Sequence, residues 1–166
     1  MMLQESIQTL EKTPLLLRII LRGVENTEVS LDYIKRNLSH LIEGEKTYWL
    51  PNIRILLNEK DEELQDIELD RNQDTKKSLQ ELLDNFDLLR QQSIFELRNI
   101  AISGHDLKIT GRHKTYGNVK VKNLLANWVY HDQVHISLVI VGMGERFRRE
   151  LGPYEEKYSN DLPKMK

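Results

Sequence analysis

Apolar residues recur at helical spacing along most of the chain. The segment 123–141 (NLLANWVYHDQVHISLVIV) shows this most clearly, because five of its positions follow one another at intervals of four, three, four and three: Leu124, Trp128, His131, His135 and Leu138. That spacing places all five on one face of an α-helix, the face that normally packs against a core. The segment contains neither proline nor glycine. It therefore predicts an uninterrupted helix.

Two earlier segments have the same periodicity. Residues 3–24 read as helix, with Thr13 and Pro14 predicted to divide the segment into two pieces, Thr13 acting as the N-cap of the second. Residues 31–58 read as a second helix that starts after an N-cap at Ser30. Pro51 lacks the N–H that the carbonyl four residues earlier would accept, so a kink or a restart is expected there.

The second half of the chain predicts two further helices. Residues 59–74 are rich in acids and amides and read as a solvated connection. A third helix is expected from a cap at Asp74 or Thr75 to about Ile100, and a fourth from near Val119. Residues 103–118 hold three glycines and read as a loop, and no strand pattern of convincing length appears. Four amphipathic helices predict an all-α fold, a four-helix bundle.

Length and composition narrow the possible functions. The 166 residues suit one domain, residues 1–166, and the net charge of −2 with no basic face argues against nucleic acid as a partner. The absence of cysteine excludes disulfides, a cysteine nucleophile and thiolate zinc sites. No apolar stretch is long enough to cross a bilayer, so we expect a cytoplasmic protein without a membrane partner.

The histidines of the fourth helix are the first candidates for chemistry. His131 and His135 lie four residues apart, so both imidazoles can reach one metal ion. The alternative is a pair of buried, hydrogen-bonded imidazoles that bind nothing. Trp49 and Trp128 read as core anchors, His105 as a solvated loop residue and His113 as a possible pocket residue.

Residues 38–57, 111–141 and 145–158 together resemble the DinB-like superfamily of metal-dependent enzymes. Residues 111–141 resemble its pattern of a His and a Gly ahead of a helix carrying His-Asp-x-x-His. Residues 38–57 (LSHLIEGEKTYWLPNIRILL) resemble its earlier His-Leu with an acid five positions after the His, and residues 145–158 are similar to its closing segment. Together with Thr13 and Pro14 near the start, these segments follow the family order, and the resemblance extends over nearly the whole chain. The chain departs from the pattern at Val29, where the family often has Trp, and at Ser137, where it often has Gln.

The resemblance implies an up-down-down-up bundle, often a homodimer, that holds a divalent ion through three histidines. Position by position, the ligands fall on His40, His131 and His135. Relatives range from thiol S-transferases to a mycothiol-dependent isomerase, so kinship does not choose between a transferase and a hydrolase. The expected partner is a small-molecule substrate, with a low-molecular-weight thiol as one possibility.

Three imidazoles would leave open positions on the ion, as in catalytic rather than structural sites. An ion held this way lowers the pKa of bound water to about 7 or activates a thiol as thiolate. Nitrogen ligands suit zinc, nickel, iron or copper, and zinc or nickel is the expectation. Asp132 and Glu45 are candidates for orienting the imidazoles or for a general base, and are therefore the predicted catalytic residues.

Two alternatives remain open at this point. The first is a non-catalytic bundle, a binding or dimerisation module that keeps the fold without a working metal site. The second is a structural metal clip, in which a fourth protein ligand closes the coordination sphere.

Overall fold

The structure is a computed structural model that describes residues 2–24, 31–58, 62–64, 66–67 and 76–158. The helices, in chain order, are α1 (Met2–Ile20), α2 (Leu31–Glu43), a π-helical turn (Gly44–Tyr48), α3 (Trp49–Leu57), α4 (Leu79–Ile100), α5 (Val121–Arg148) and α6 (Glu155–Tyr158). Short 3-10 turns span Asp106–Lys108 and Gly152–Tyr154. Two strands, β1 (Thr110–His113) and β2 (Gly117–Lys120), precede α5.

Within the described residues, the fold is a four-helix bundle. Its second member is the continuous unit of α2, the π turn and α3; the others are α1, α4 and α5. In this bundle α1 and α2 each pack against α4 and α5. Ion pairs give the helix directions. Arg18 of α1 pairs with Asp84 and Arg98 of α4 pairs with Glu11, so α1 and α4 are antiparallel. Asn37 faces His135 while Glu45 faces Trp128, so α2 and α5 are antiparallel too. The predicted fold class, an all-α up-down-down-up bundle, is confirmed.

The apolar core forms two clusters, one towards each end of the bundle. The first gathers the α3 side with the start of α5, around Trp49, Ile53 and Trp128. The second gathers α2 with the start of α4, around Ile34, Leu38 and Phe86. Trp49 and Trp128 are each at most 1% exposed, which confirms them as core anchors. A layer of polar residues lies between the clusters and is described below.

The first helix is one continuous piece that ends at Ile20, before the predicted end at residue 24. Pro14 lies inside a continuous α1, so the division expected at Thr13 is wrong. The Thr13 side chain does not cap a helix; its hydroxyl instead donates to Asp132 of α5 at 2.7 Å. A proline inside a helix frees the carbonyl four residues earlier, here that of Leu10, and that carbonyl receives another donor.

The caps expected at Ser30, Asp74 and Thr75 lie outside the described residues. The third helix starts at Leu79, later than predicted, and is capped by Ser78. Its hydroxyl accepts from the Glu81 N–H at 3.1 Å, while the Glu81 carboxylate accepts from the Ser78 N–H at 2.7 Å. This reciprocal pair is a capping box, which satisfies two N–H groups that the first turn leaves free.

The restart predicted at Pro51 occurs just before it, as the π turn Gly44–Tyr48, whose closing bond runs from the Trp49 N–H to the Gly44 carbonyl. A π turn holds one residue more than an α turn, so it shifts which side chains share a face. In an uninterrupted α-helix, Tyr48 would lie about 80° around the axis from His40. The π turn rotates Tyr48 back towards the face that carries His40.

The predicted loop 103–118 contains part of a small sheet. Strands β1 and β2 pair antiparallel, with Thr110 opposite Lys120 and His113 opposite Gly117. Leu64, from the acidic connection, is fully buried and bridges to His113. Strands of four residues are too short to show a reliable alternation, which is why the sequence did not reveal them. The hairpin places His113 against the bundle.

The last bundle helix, α5, continues through Gly142 and Gly144 as far as Arg148. A Cβ built on Gly142 would lie 2.8 Å from Tyr33 Cδ1, so this glycine allows α2 and α5 to approach closely. A Cβ on Gly144 would meet nothing within 4 Å. Among the helices that the structure describes, none combines the length and apolarity that a membrane span requires.

Substituting the two glycines by alanine should change the free energy of unfolding in opposite directions. Gly142→Ala should lower the free energy of unfolding by about 1–3 kcal/mol, because the new methyl group overpacks against the buried Tyr33 ring. Gly144→Ala should raise it by about 0.5–1 kcal/mol, because alanine is the better helix former and space is free. Urea denaturation of both variants measures the difference. Equal effects of the two substitutions would contradict the close approach of α2 and α5.

Candidate metal centre

Three imidazoles from two helices meet inside the bundle. His40 comes from α2, and His131 and His135 come from successive turns of α5. Their ring centroids form a near-regular triangle, with separations of 4.9, 4.6 and 4.5 Å. One nitrogen from each ring lies within 4.8 Å of the other two. The structure therefore brings together the three residues that the family resemblance selected.

The nitrogen atoms of these rings are short of partners. His40 Nδ1 and both ring nitrogens of His131 are buried without a hydrogen bond. Buried polar atoms are nearly always satisfied, so such atoms indicate a missing partner. One ion takes one nitrogen from each ring, so it would be the partner of His40 Nδ1 and of one His131 nitrogen. Nitrogens bound to one zinc ion at about 2.0 Å lie roughly 3.3 Å apart. The nitrogens of the cluster, within 4.8 Å of one another, must move closer than this to bind one ion, and the cluster fits a metal ion once the rings turn towards it.

His135 is already oriented for ligation. Its Nδ1–H donates to Asn37 Oδ1 at 2.8 Å, and the Asn37 amide in turn donates to the Tyr33 carbonyl at 2.9 Å. The second bond fixes which end of the Asn37 amide faces the ring. His135 therefore keeps its proton on Nδ1 and leaves Nε2 free as a ligand, the arrangement that outer partners of metal-binding histidines commonly impose. Sequence reasoning missed Asn37.

The surroundings keep the three imidazoles neutral. Burial lowers the pKa of His40 and is also the main cause that lowers the pKa of His131 to about 4 and of His135 to about 3. Repulsion among the neighbouring imidazoles adds to the shifts of His131 and His135. A neutral imidazole is the form that binds a metal.

A buried ion network lies next to the imidazoles. Arg90 of α4 is 1% exposed, and its guanidinium bonds Glu45 at 2.7 Å and Asp132 at 2.6 Å. It also donates to the Leu10 carbonyl of α1 at 2.8 Å. Burial works against the Arg90 charge, but Asp132 and Glu45 outweigh it and raise its pKa. One side chain thus connects every helix of the bundle.

The network carries more negative than positive charge. Two carboxylates, Glu45 and Asp132, face one guanidinium, and Glu45 Oε2 is buried without a partner. Trp128 donates its indole N–H to the other Glu45 oxygen at 2.9 Å and stacks on Trp49, which contacts the His131 ring. An unpaired buried charge is costly, so the site favours a cation in its vicinity.

The two predicted catalytic carboxylates occupy different situations. Both oxygens of Asp132 are engaged, by Arg90 and by the Thr13 hydroxyl, whereas Glu45 has one oxygen free. Arg90 and Thr13 were not predicted as site residues. Arg90 could have been found from its spacing, because it lies four residues from both Phe86 and Ile94 and so places a charge on the apolar face of α4. No pattern in the sequence indicated Thr13. His105 is exposed, as predicted.

Comparison with known proteins identifies the fold. No protein-family model matches the sequence, and no curated protein matches it closely. A solved structure that resembles it is YfiT from Bacillus subtilis, with a TM-score of 0.68 over 87% of each chain at 20% sequence identity. The fold is that of YfiT.

YfiT is described as a probable metal-dependent hydrolase with an unusual four-helix bundle topology. At this level of identity, the likeness to YfiT establishes the architecture and leaves the chemistry to be argued from the residues of this chain. The DinB/YfiT-like fold expected from the three sequence segments is confirmed.

Removing the central guanidinium should destabilise the bundle strongly. Arg90→Met should lower the free energy of unfolding by about 3–5 kcal/mol, because it leaves two buried carboxylates without a counter-charge. Arg98→Met is the matched control, since Arg98 pairs with Glu11 on the surface and should contribute less than about 1 kcal/mol. Urea denaturation compares the two. A similar small loss for both variants would show that the network does not hold the helices together.

Stability of the metal-free protein should fall as pH drops below about 6.5, the pKa of an unfolded histidine. The folded pKa values of His131 and His135 are lower, so the unfolded state binds more protons in this range. The free energy of unfolding is therefore highest above about pH 6.5, and it falls towards pH 4 as the unfolded state takes up protons that the folded imidazoles do not. Urea midpoints at about pH 7.5 and about pH 5 measure the loss. His131→Ala should reduce it, and an unchanged loss in that variant would contradict the assignment.

Proposed function

We propose that the protein is a divalent-metal-dependent enzyme that acts on a small molecule. The observation that carries this proposal is the convergence of His40, His131 and His135, with three of their nitrogens buried and unpaired. The excess negative charge of the neighbouring network supports a cation there. Zinc or nickel suits such a nitrogen donor set.

The composition of the cluster favours a catalytic ion over a structural one. Among the described residues, no fourth His, Asp or Glu joins the three histidines in the group. Structural zinc sites are closed by four protein ligands, whereas catalytic sites keep a position for water or substrate. This argues against the structural clip.

Hydrolysis is the reaction we favour. A divalent ion held by three imidazoles would supply a water molecule acidic enough to act as a nucleophile near neutral pH. The description of YfiT as a probable metal-dependent hydrolase supports this choice. The alternative is a transferase in which a low-molecular-weight thiol occupies the open position and binds as thiolate.

The contacts suggest separate roles for the two carboxylates. Glu45 keeps a buried oxygen free and is the better candidate for the general base. Asp132 is fully engaged with Arg90 and Thr13, so its proposed role is to position α5 and with it His131. The homodimer and the cytoplasmic location stay predictions.

The metal content of purified protein tests the proposal directly. Protein isolated without a histidine tag should carry about one zinc or nickel ion per chain, and His131→Ala should lose it because two ligands hold an ion far less tightly than three. His105→Ala is the control, since His105 is exposed and outside the cluster. Elemental analysis by mass spectrometry gives the stoichiometry.

The non-catalytic bundle makes the opposite prediction. If wild type and His131→Ala carry the same trace metal, and if a chelator leaves the melting temperature of wild type unchanged, the metal-dependent enzyme is refuted. For metal-loaded protein, nitrophenyl esters test hydrolysis, and a chlorodinitrobenzene with an added thiol tests transfer. His131→Ala should abolish whichever activity is found.

A further inference from the structure

A second buried polar cluster lies where the hairpin meets the π turn. His113, at the end of β1, is 1% exposed, and its Nδ1 accepts the N–H groups of Thr115 and Tyr116 at 3.1 and 3.3 Å. A ring nitrogen that accepts two N–H bonds carries no proton. His113 is therefore a neutral imidazole with its proton on Nε2.

The proton on Nε2 determines what the neighbouring phenol can do. Nε2 lies 3.2 Å from Tyr48 Oη, while the nearest oxygen of Asp66 is farther away, at 3.6 Å. His113 thus donates to Tyr48, and the Tyr48 hydroxyl hydrogen is left for another acceptor. Among the residues that the structure describes, the Tyr48 hydroxyl makes no other hydrogen bond, although the Asp66 carboxylate is near enough to act on its pKa. Burial is the main cause that raises the pKa of Tyr48 to about 12, so this hydrogen is retained at neutral pH.

Tyr48 lines a cavity of about 370 Å³. Two amides of α5, those of Asn123 and Asn127, also line it, together with apolar side chains such as Leu124. The Asn123 oxygen accepts the Lys120 N–H at 3.0 Å, which leaves the amide N–H groups of Asn123 as donors. No lining residue is Lys, Arg, Asp or Glu. The cavity therefore offers uncharged hydrogen-bond donors beside an apolar wall.

The cavity lies one helical turn from the histidine cluster. Asn127 precedes His131 by four residues, so their side chains are neighbours on α5. On the opposite side, the Trp49 ring contacts both Tyr48 and His131, with centroid separations of 4.7 and 5.2 Å. The π turn brings Tyr48 towards the face of His40. The Trp49 ring therefore lies between Tyr48 and His131, and none of the three clustered histidines lines the cavity.

We propose that this cavity binds an uncharged carbonyl group, such as a carboxamide, with the Tyr48 hydroxyl as its principal donor and His113 as the residue that positions that hydroxyl. Carbonyl oxygens accept but do not donate, which matches the two donors identified at the cavity, the Tyr48 hydroxyl and the Asn123 amide. A carboxylate would lose its hydration without gaining a counter-charge. If the proposed function is correct, the cavity is the recognition subsite for the substrate; the binding itself does not depend on the ion.

Benzamide is a suitable probe, because it joins a carboxamide to an apolar ring. Titration of metal-free, isotope-labelled protein, followed by NMR, should shift the side-chain amide signals of Asn123 and Asn127. Tyr48→Phe keeps the ring and removes the donor, so it should raise the Kd about fivefold through loss of one neutral hydrogen bond. Tyr130→Phe is the matched control on an exposed tyrosine of α5 and should bind as wild type does.

Benzoate, with the same shape and a full charge, should bind more weakly than benzamide. Tighter binding of benzoate would overturn the assigned ligand class, and equal affinity of wild type and Tyr48→Phe for benzamide would overturn the role of Tyr48. Absence of amide shifts at Asn123 and Asn127 would overturn the site itself. Wild type should bind benzamide equally with and without added metal, so these results stand apart from the metal analysis, and either proposal can fail alone.

Discussion

The guanidinium of Arg90 is the interaction on which the arrangement of the helices depends. It contacts α1 through the Leu10 carbonyl, the π turn through Glu45 and α5 through Asp132. A buried ion network is seldom the most stabilising way to fill a core, because desolvation cancels most of the attraction. Its contribution here is to fix the positions of the helices. Each bond requires a particular atom of a particular helix, whereas apolar contacts allow the helices to slide past one another. Displacing a helix along its neighbours would leave a buried charge unpaired.

The histidine cluster gains its geometry from that constraint. Asp132 follows His131 in the same turn of α5, so the ion pair of Asp132 with Arg90 fixes the rotation of the helix that carries both α5 imidazoles. Glu45 follows His40 by five residues, and its bond to the same guanidinium fixes the other helix. The imidazoles face each other because their neighbours are tied to one group. The same network leaves negative charge beside three neutral rings, an electrostatic setting suited to a cation.

The sequence predicted the bundle and the histidines because both depend on local spacing. The four-residue interval between His131 and His135 lies within one helix, and each apolar stripe also lies within one helix, so both can be read from a single segment. His40 needed the family resemblance, since nothing in its own segment says which helix it will face. The stripe on α5 was only partly right: Leu125, Asp132 and Val139 are buried, whereas His131 and His135 are half-buried. The spacing of apolar residues predicts the buried face of a helix to within about one residue, and tertiary contacts decide which residues on that face are fully buried.

Two features that local rules treat as exceptions explain each other. Pro14 in the middle of a helix predicts a break, because it leaves the carbonyl of Leu10 without its N–H partner. Arg90 lies on an apolar stripe, where a charge is unfavourable because a buried cation needs acceptors. In the folded chain the Arg90 guanidinium donates to the Leu10 carbonyl, so the acceptor that Pro14 frees is one that Arg90 requires. Each residue alone looks unfavourable from the sequence. The contact of Arg90 with Leu10, 80 residues away in the chain, resolves both, and no local pattern contains it.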